Sequence, residues 1–447
     1  MNVSLKGKKV LFATIPGDGH VNPLTGLAVY LKEMGCDVRW YTSEGYSGKM
    51  EKLKIRHYTF KKALDVTGTE FATRLHEREK NKTQIAKLKW DLINVFILRA
   101  PEYYADIKDI YEEFRFDVMV ADCTFMAVPF VRDLMKIPVI SIGVLPLIET
   151  SKDLAPVGLG MEPTNSYFGR MKQKFLRSIA ARMIFGAPNK VFFRLLDEHG
   201  IVHKKQSVFD MSIQKADLFL QSGTPGFEYK RTDLSAHIRF IGALLPYSAP
   251  VQERPWYDYR LMHSKKIVLV TQGTVEKDVN KILIPTLESF KGTDVLVIAT
   301  TGGSQTEELR KRYPHANLII EDFIPFNQVM PYAHVYITNG GYGGVMLGIQ
   351  NKLPIIVAGV HEGKNEIAAR IGYFKLGINL KTEKPKPAQF KKAVEEILNN
   401  SVYKVNVHIL ASEFQTYNPN GLFAKYMIEL LSGKQVLKSV YKVLQIT

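Results

Sequence analysis

Short apolar runs rich in β-branched residues recur along the chain. Each is followed by a polar or glycine-rich stretch and then by apolar positions at helical spacing. KKVLFATI (Lys8 to Ile15) opens the series and reads as a buried strand. After it, Leu24, Leu27, Ala28, Leu31 and Met34 repeat at helical spacing. Asn22 fits the N-cap of that helix, Pro23 its first position, and Gly35 closes it. Further strands are predicted at Asp37–Thr42, Val118–Ala121, Val139–Val144 and Leu218–Gln221, and the long stretch Ala63–Phe114 is mostly helical. Gly242 to Met262, rich in proline and turn formers, reads as an interdomain linker. A second series then begins with strands at Lys265–Gly273 and Val295–Gly303, followed by NLIIEDFIP, VYITNGG and LPIIVAG. Strands alternating with helices twice over predict an α/β chain of two doubly wound parallel sheets, with a cleft between their carboxyl ends.

Composition narrows the function classes. A chain of 447 residues that is 46% hydrophobic suits two sizeable domains. Two cysteines, Cys36 and Cys123, give neither a disulfide framework nor a metal cluster, which fits a reduced, cytoplasmic setting. The first residues, MNVSLKGKKV, carry no apolar signal core, and no run approaches the roughly 18 apolar residues of a membrane span. The net charge of +16 invites an anionic partner. One concentration stands out. Tyr167 to Leu196 holds Arg170, Lys172, Lys174, Arg177, Arg182, Lys190 and Arg194 and no acid, interleaved with apolar residues. It reads as a basic amphipathic helix. A solvated face over an apolar pocket wall is the preferred account, and a weak membrane-surface contact through 167–196 stays open beside it. No nucleic-acid module accompanies the charge, so nucleic acid is not expected as a partner.

Two glycine-rich turns carry the candidate chemistry. IPGDGHVNP (Ile15 to Pro23) places His20 between a strand and a helix, where ligands bind in open parallel sheets. Gly17 and Gly19 begin a dinucleotide fingerprint, but Asn22 replaces its third glycine and the next strand, DVRWYTS, ends without an acid. A capping or packed histidine remains the alternative at this point. The second turn follows VYIT: Asn339 is succeeded by Gly340, Gly341, Gly343 and Gly344, and a helix is predicted from about Val345. Backbone N–H groups at a helix start make an anion site. VTQGT adds Gly273 and the hydroxyl of Thr274. There is no P-loop lysine and no D-x-D, so a diphosphate held without a metal fits better than a hydrolysed triphosphate.

In order along the chain, GHVNP, LQSGTPGFEYKR, IRFIGALLP, VTQGT, EDFIPFNQVMP, VYITNGGYGGVMLGIQNKLPIIVAG and HEGKNEIAARI resemble the segments of family 1 glycosyltransferases with the GT-B fold, bacterial branch. The likeness covers nearly the whole length. APEYY, VMVADC, TQGTVEK, NGGYGGVMLGI and HEGKNE are most similar to bacterial flavonoid rhamnosyltransferases. The resemblance implies an acceptor-binding Rossmann-like domain over 1–241, the linker 242–262, a nucleotide-sugar domain over 263–420, and a C-terminal helix within 421–447 crossing back to the first domain. It implies that His20 is the general base, with Asp122 on its other nitrogen, and that no cofactor or metal is needed. It places Phe323 on the pyrimidine and the Ile324 backbone at its edge, with Gly341, Gly343, Gly344 and Thr274 around the diphosphate.

This chain departs from the family at informative places. Asn339 stands for a histidine, Gly344 for a serine, and Leu347 for the glutamate that holds a ribose hydroxyl. A deoxyribose-containing TDP donor follows from that last exchange. HEGKNE replaces the family's Asp-Gln pair, making Glu362, Lys364, Asn365 and Glu366 candidates for reading a rhamnose donor. Asp18, Phe96, Tyr103, Phe125, Met126 and Phe185 would suit a flat phenolic acceptor. The expected reaction is inverting transfer of L-rhamnose from TDP-rhamnose to a flavonoid or similar phenol. The alternatives are TDP- or UDP-glucose as donor, a glycolipid synthase at a membrane surface, and a non-catalytic auxiliary protein that binds a nucleotide or a partner transferase.

Overall fold

The computed structural model describes residues 4–248, 256–273, 276–361 and 363–433. Thr274 and Glu362 lie outside the described residues, as do 249–255 of the expected linker and 434–447 of the expected last segment.

Two parallel sheets form. The first holds β1 (Lys9–Ala13), β2 (Asp37–Tyr41), β3 (Arg56–Tyr58), β4 (Val118–Asp122), β5 (Val139–Gly143), β6 (Leu218–Ser222) and β7 (Ile238–Gly242), in the order 3-2-1-4-5-6-7. The second holds β8 (Ile267–Thr271), β9 (Leu296–Thr300), β10 (Leu318–Glu321), β11 (Val335–Thr338), β12 (Ile355–Val357) and β13 (Gly377–Asn379), in the order 10-9-8-11-12-13. The helices that position the site are α1 (Asp18–Glu33), α2 (Ala100–Glu113), α3 (Tyr167–Met183), α4 (Gly186–Glu198), α5 (Tyr342–Gln350), α6 (Lys364–Tyr373), α7 (Ser401–Gln415) and α8 (Pro419–Leu431).

Every expected strand is present. The edge strands β3, β7 and β13 were not expected; β3 and β13, three residues each, are too short to carry a readable period, and β7 runs straight into the turn-rich stretch read as a linker. Central strands are apolar on both faces because helices cover both. In β1, Val10 and Phe12 enter one core while Leu11 and Ala13 enter the other; in β8, Ile267 and Leu269 part from Val268 and Val270 in the same way.

Three expectations need correction. Helix α1 starts at Asp18 with Gly17 as N-cap, not at Pro23, so His20 lies in its first turn. Proline removes only one helical hydrogen bond there, and Asn22 turns its side chain to Lys49 instead of capping. Helix α5 starts at Tyr342, not near Val345, so Gly343 and Gly344 belong to its first turn. The basic stretch forms two helices, α3 and α4, with a break at Ile184–Phe185.

The halves interlock. Phe227, from the first half, is buried in the core of the second, and the Gly226 N–H donates to Glu413 of α7 at 3.0 Å. Phe423, Ala424 and Met427 of α8 return to the core of the first half beside α1. Between them Arg370 of α6, buried, donates to Glu228 of the first half at 2.7 and 3.1 Å and to Glu366 at 3.1 Å. Burial alone would lower the Arg370 pKa; the Glu228 and then the Glu366 charge reverse this and hold it above the usual value. Removing one member of such a pair leaves a buried charge uncompensated. Arg370→Met should therefore destabilise the fold by about 3–5 kcal/mol, read as a lower urea midpoint.

Candidate active site

The two glycine turns sit at corresponding places. In each sheet the strand order reverses at one point, between β1 and β4 and between β8 and β11. A crevice opens there, because successive connections leave in opposite directions. His20 follows β1 and Asp122 ends β4; Gly273 follows β8 and Asn339 follows β11.

At the first reversal His20 Nδ1 lies 3.0 Å from Asp122 Oδ1. The Asp122 side chain is 0% exposed and that of His20 is 18% exposed, so the pair is buried on its carboxylate side and open on the other. Asp122 also accepts from Ile15 N at 2.9 Å, Thr124 N at 2.9 Å and the Thr124 hydroxyl. Burial would raise its pKa. The His20 charge and these donors outweigh burial, and the carboxyl titrates below its ordinary range. A carboxylate fixed on Nδ1 sets the tautomer, leaving Nε2 as the acceptor nitrogen. Among the described residues Nε2 makes no hydrogen bond. Gly17 permits this pose: a Cβ there would stand 3.1 Å from His20 Cδ2. Thr124 was not anticipated; a hydroxyl two residues after a strand-ending aspartate is the signal that could have found it.

At the second reversal the N–H groups of Tyr342, Gly343 and Gly344 open α5 and lack intrahelical partners by their position. Gly340 has φ +84°, and a Cβ on it would meet Val357 Cγ1 at 2.7 Å, so only glycine fits. Asn339 is engaged within the turns. Its amide donates to the Gln272 carbonyl and its oxygen accepts from Gly341 N at 3.3 Å. Gly273 lies against it, 3.4 Å from a Cβ position to Asn339 Nδ2. The stem of Lys364 runs beside this turn, 3.2 Å from a Cβ built on Gly359. Phe323 is 70% exposed, while Ile324 beside it is buried.

Several expected site residues are engaged otherwise. Glu366 Oε1 accepts from Gly158 N at 2.8 Å and Gly160 N at 2.9 Å, and Oε2 accepts from Arg370. Asn365 donates to the Gly158 carbonyl at 2.7 Å. These two clasp the first half of the chain, contacts that the sequence reading did not anticipate. Tyr103, Phe125 and Met126 are fully buried, with Tyr103 and Phe125 stacked at 4.8 Å, so they are packing behind the pair and not an open wall. Among the described residues the Tyr103 hydroxyl nevertheless has no partner. Phe96 and Phe185 are half-buried. Asp18 is held by the Tyr46 hydroxyl at 3.4 Å and by Lys49 at 3.6 Å.

One linking residue was not foreseen. Tyr342, inside the second glycine turn, is buried and donates its hydroxyl to the Ser222 carbonyl of β6 at 2.8 Å. Gly223 makes room for it, since a Cβ there would lie 2.9 Å from that oxygen. No sequence signal distinguishes this tyrosine from a packed one. Among the described residues no helix is long and apolar enough to cross a membrane.

Comparison with known proteins adds to this geometry. The family model described as UDP-glucoronosyl and UDP-glucosyl transferase matches residues 103–419. The 4'-demethylrebeccamycin synthase of Lentzea aerocolonigenes is 32% identical, covering 91% of this chain and 96% of that one. UDP-glucosyltransferase 1 of Beauveria bassiana is 28% identical, covering 89% and 90%. The crystal structure of a calicheamicin glycosyltransferase superposes with a TM-score of 0.75 at 19% identity, covering 96% and 99%.

Asp122→Asn should weaken the fold at neutral pH by about 1–3 kcal/mol, since one buried oxygen acceptor becomes a donor facing donors. The folded carboxyl titrates below its unfolded value, so its contribution is full above about pH 3.9 and fades as pH falls through the folded value. Urea unfolding of both proteins across pH 3 to 7, about the carboxylate range, should therefore show the gap closing toward acid.

Proposed function

Since the chain belongs to the UDP-glucoronosyl and UDP-glucosyl transferase family and is a glycosyltransferase of the GT-B fold acting with a nucleotide sugar, we propose that it is an inverting, metal-independent O-glycosyltransferase with His20 as general base. The observation that carries this reading is the His20–Asp122 pair, 3.0 Å apart, with one imidazole nitrogen bound and the other open. An acceptor hydroxyl gives its proton to His20 Nε2 while its oxygen forms the new bond to the anomeric carbon. The bond from that carbon to the diphosphate breaks on the opposite face, and the electron pair leaves with the diphosphate. Asp122 keeps the tautomer and stabilises the imidazolium that forms. The N–H groups of Tyr342, Gly343 and Gly344 meet the growing negative charge at the start of α5. The open ring of Phe323 completes the donor side, stacked on the base. Lys364, beside the glycine turn, stands with Glu362, Asn365 and Glu366 of HEGKNE as a reader of the donor sugar.

The donor we propose is TDP-rhamnose and the acceptor a flavonoid or similar phenol. Leu347 on α5 supports the first, because an apolar side chain replaces the carboxylate that would hold a ribose hydroxyl. Phe96 and Phe185 support an aromatic acceptor. The names of the relatives favour glucose as the second reading. The ordered base pair weighs against a purely auxiliary role.

A donor competition separates these readings. One flavonol is mixed with equal TDP-rhamnose, TDP-glucose, UDP-rhamnose and UDP-glucose, and the products are read by mass spectrometry. A deoxyhexose adduct drawn mainly from the TDP donor is expected, with the rate falling about 10²–10⁴-fold in His20→Ala. A hexose adduct would replace rhamnose by glucose. Turnover unaffected by His20→Ala would remove the base assignment.

A further inference from the structure

Helix α3 is built the opposite way round from a helix that covers a core. Its buried residues are Gln173 and Ala180, polar and small. Phe168, Met171, Phe175 and Ile179 recur at helical spacing and share another face. Phe168 is 84% exposed and Phe175 65%, and Tyr167, Met171 and Met183 also face solvent. The same helix carries Arg170, Lys172, Lys174, Arg177 and Arg182 and no acid. None of these five forms an ion pair among the described residues. This corrects the expectation of a solvated face over an apolar pocket wall: the apolar side itself points outward.

From this we infer that α3 is a docking surface for an anionic lipid bilayer. The apolar stripe enters the headgroup–acyl boundary while the flanking lysines and arginines meet lipid phosphates. Charge selects this occupant. A second copy of the chain would bring two acid-free basic helices together, and a nucleic acid offers nothing to cover the phenylalanine and methionine stripe. The helix is also firmly seated. Gln173 Nε2 donates to the Glu162 carbonyl at 3.0 Å, and Arg177 donates to the Leu154 carbonyl. The same segment presents Gly158 and Gly160 to Glu366 of the second half. Docking through α3 therefore holds the junction of the two halves near the lipid surface.

Flotation of the full chain with vesicles tests this. Vesicles of one part phosphatidylglycerol to two parts phosphatidylcholine are compared with pure phosphatidylcholine. Binding to the anionic vesicles alone is expected, falling at least about tenfold when salt is raised from about 0.05 to about 0.5 M. The double variant Phe168→Ser, Phe175→Ser should bind at least about tenfold more weakly with an unchanged melting temperature, because both rings are already exposed. Val405→Ser with Ile409→Ser, on the exposed stripe of α7, should bind as the parent does. Failure to bind anionic vesicles, equal binding to phosphatidylcholine, or full binding by the Phe168/Phe175 variant would overturn the proposal. So would an equal loss from the α7 variant, or a dimer dispersed by the Phe168/Phe175 change without vesicle binding.

Discussion

A carboxylate with no access to water must be surrounded by donors, and Asp122 is the point from which the candidate site is built. Its four donors come from three places: Ile15 at the end of the β1 segment, Thr124 just after β4, and His20 in the first turn of α1. Satisfying the buried charge thus ties together the two strands that flank the reversal of the first sheet. The imidazole is the one donor of the set that reaches toward solvent. Structural necessity and chemistry coincide here, since the group that must pair with a buried carboxylate is also the group whose second nitrogen can take a proton.

The second sheet needs a different device. Its glycine turn offers backbone donors, and these are useful only at a set distance from His20. Two contacts across the halves supply that distance. Tyr342 anchors the start of α5 to Ser222 at the end of β6, and Glu228, Arg370 and Glu366 form a buried ionic chain that reaches the Gly158–Gly160 segment. Both contacts tie the second sheet to the first half of the chain. The asymmetry is physical. The first site is fixed by a side-chain pair within one sheet, and the second by long-range packing between two.

This difference explains what could be read in advance. The strands were legible because both faces are covered and their apolar runs are continuous. The His20–Asp122 pairing was legible because His20 lies on the turn that follows one strand run, Asp122 ends another, and the two match a known pattern. Helix starts were misplaced at Pro23 and Val345, where local residue preference competes with glycine turns that the backbone, not the side chains, determines. Tyr103, Phe125 and Met126 looked like an acceptor wall because aromatic residues near a site suit either packing or binding, and only burial decides. The contacts of Glu366 and Asn365 were not legible because their partners lie about two hundred residues away, beyond any local pattern. The outward face of α3 was visible as composition, but its direction depended on Gln173 and Ala180 being the buried side.

The central claim is that His20 and Asp122 act as one unit in sugar transfer, and a double-mutant cycle on the single-turnover rate constant tests it most directly. Asp122→Ala, His20→Ala and the double variant are compared with the parent under single-turnover conditions. If the pair is the base, Asp122→Ala slows transfer strongly in the parent, by about 10² or more, and has almost no further effect once His20 is gone. Equal and additive losses in both backgrounds would contradict the account, because Asp122 would then act on the reaction by a route that does not pass through the histidine.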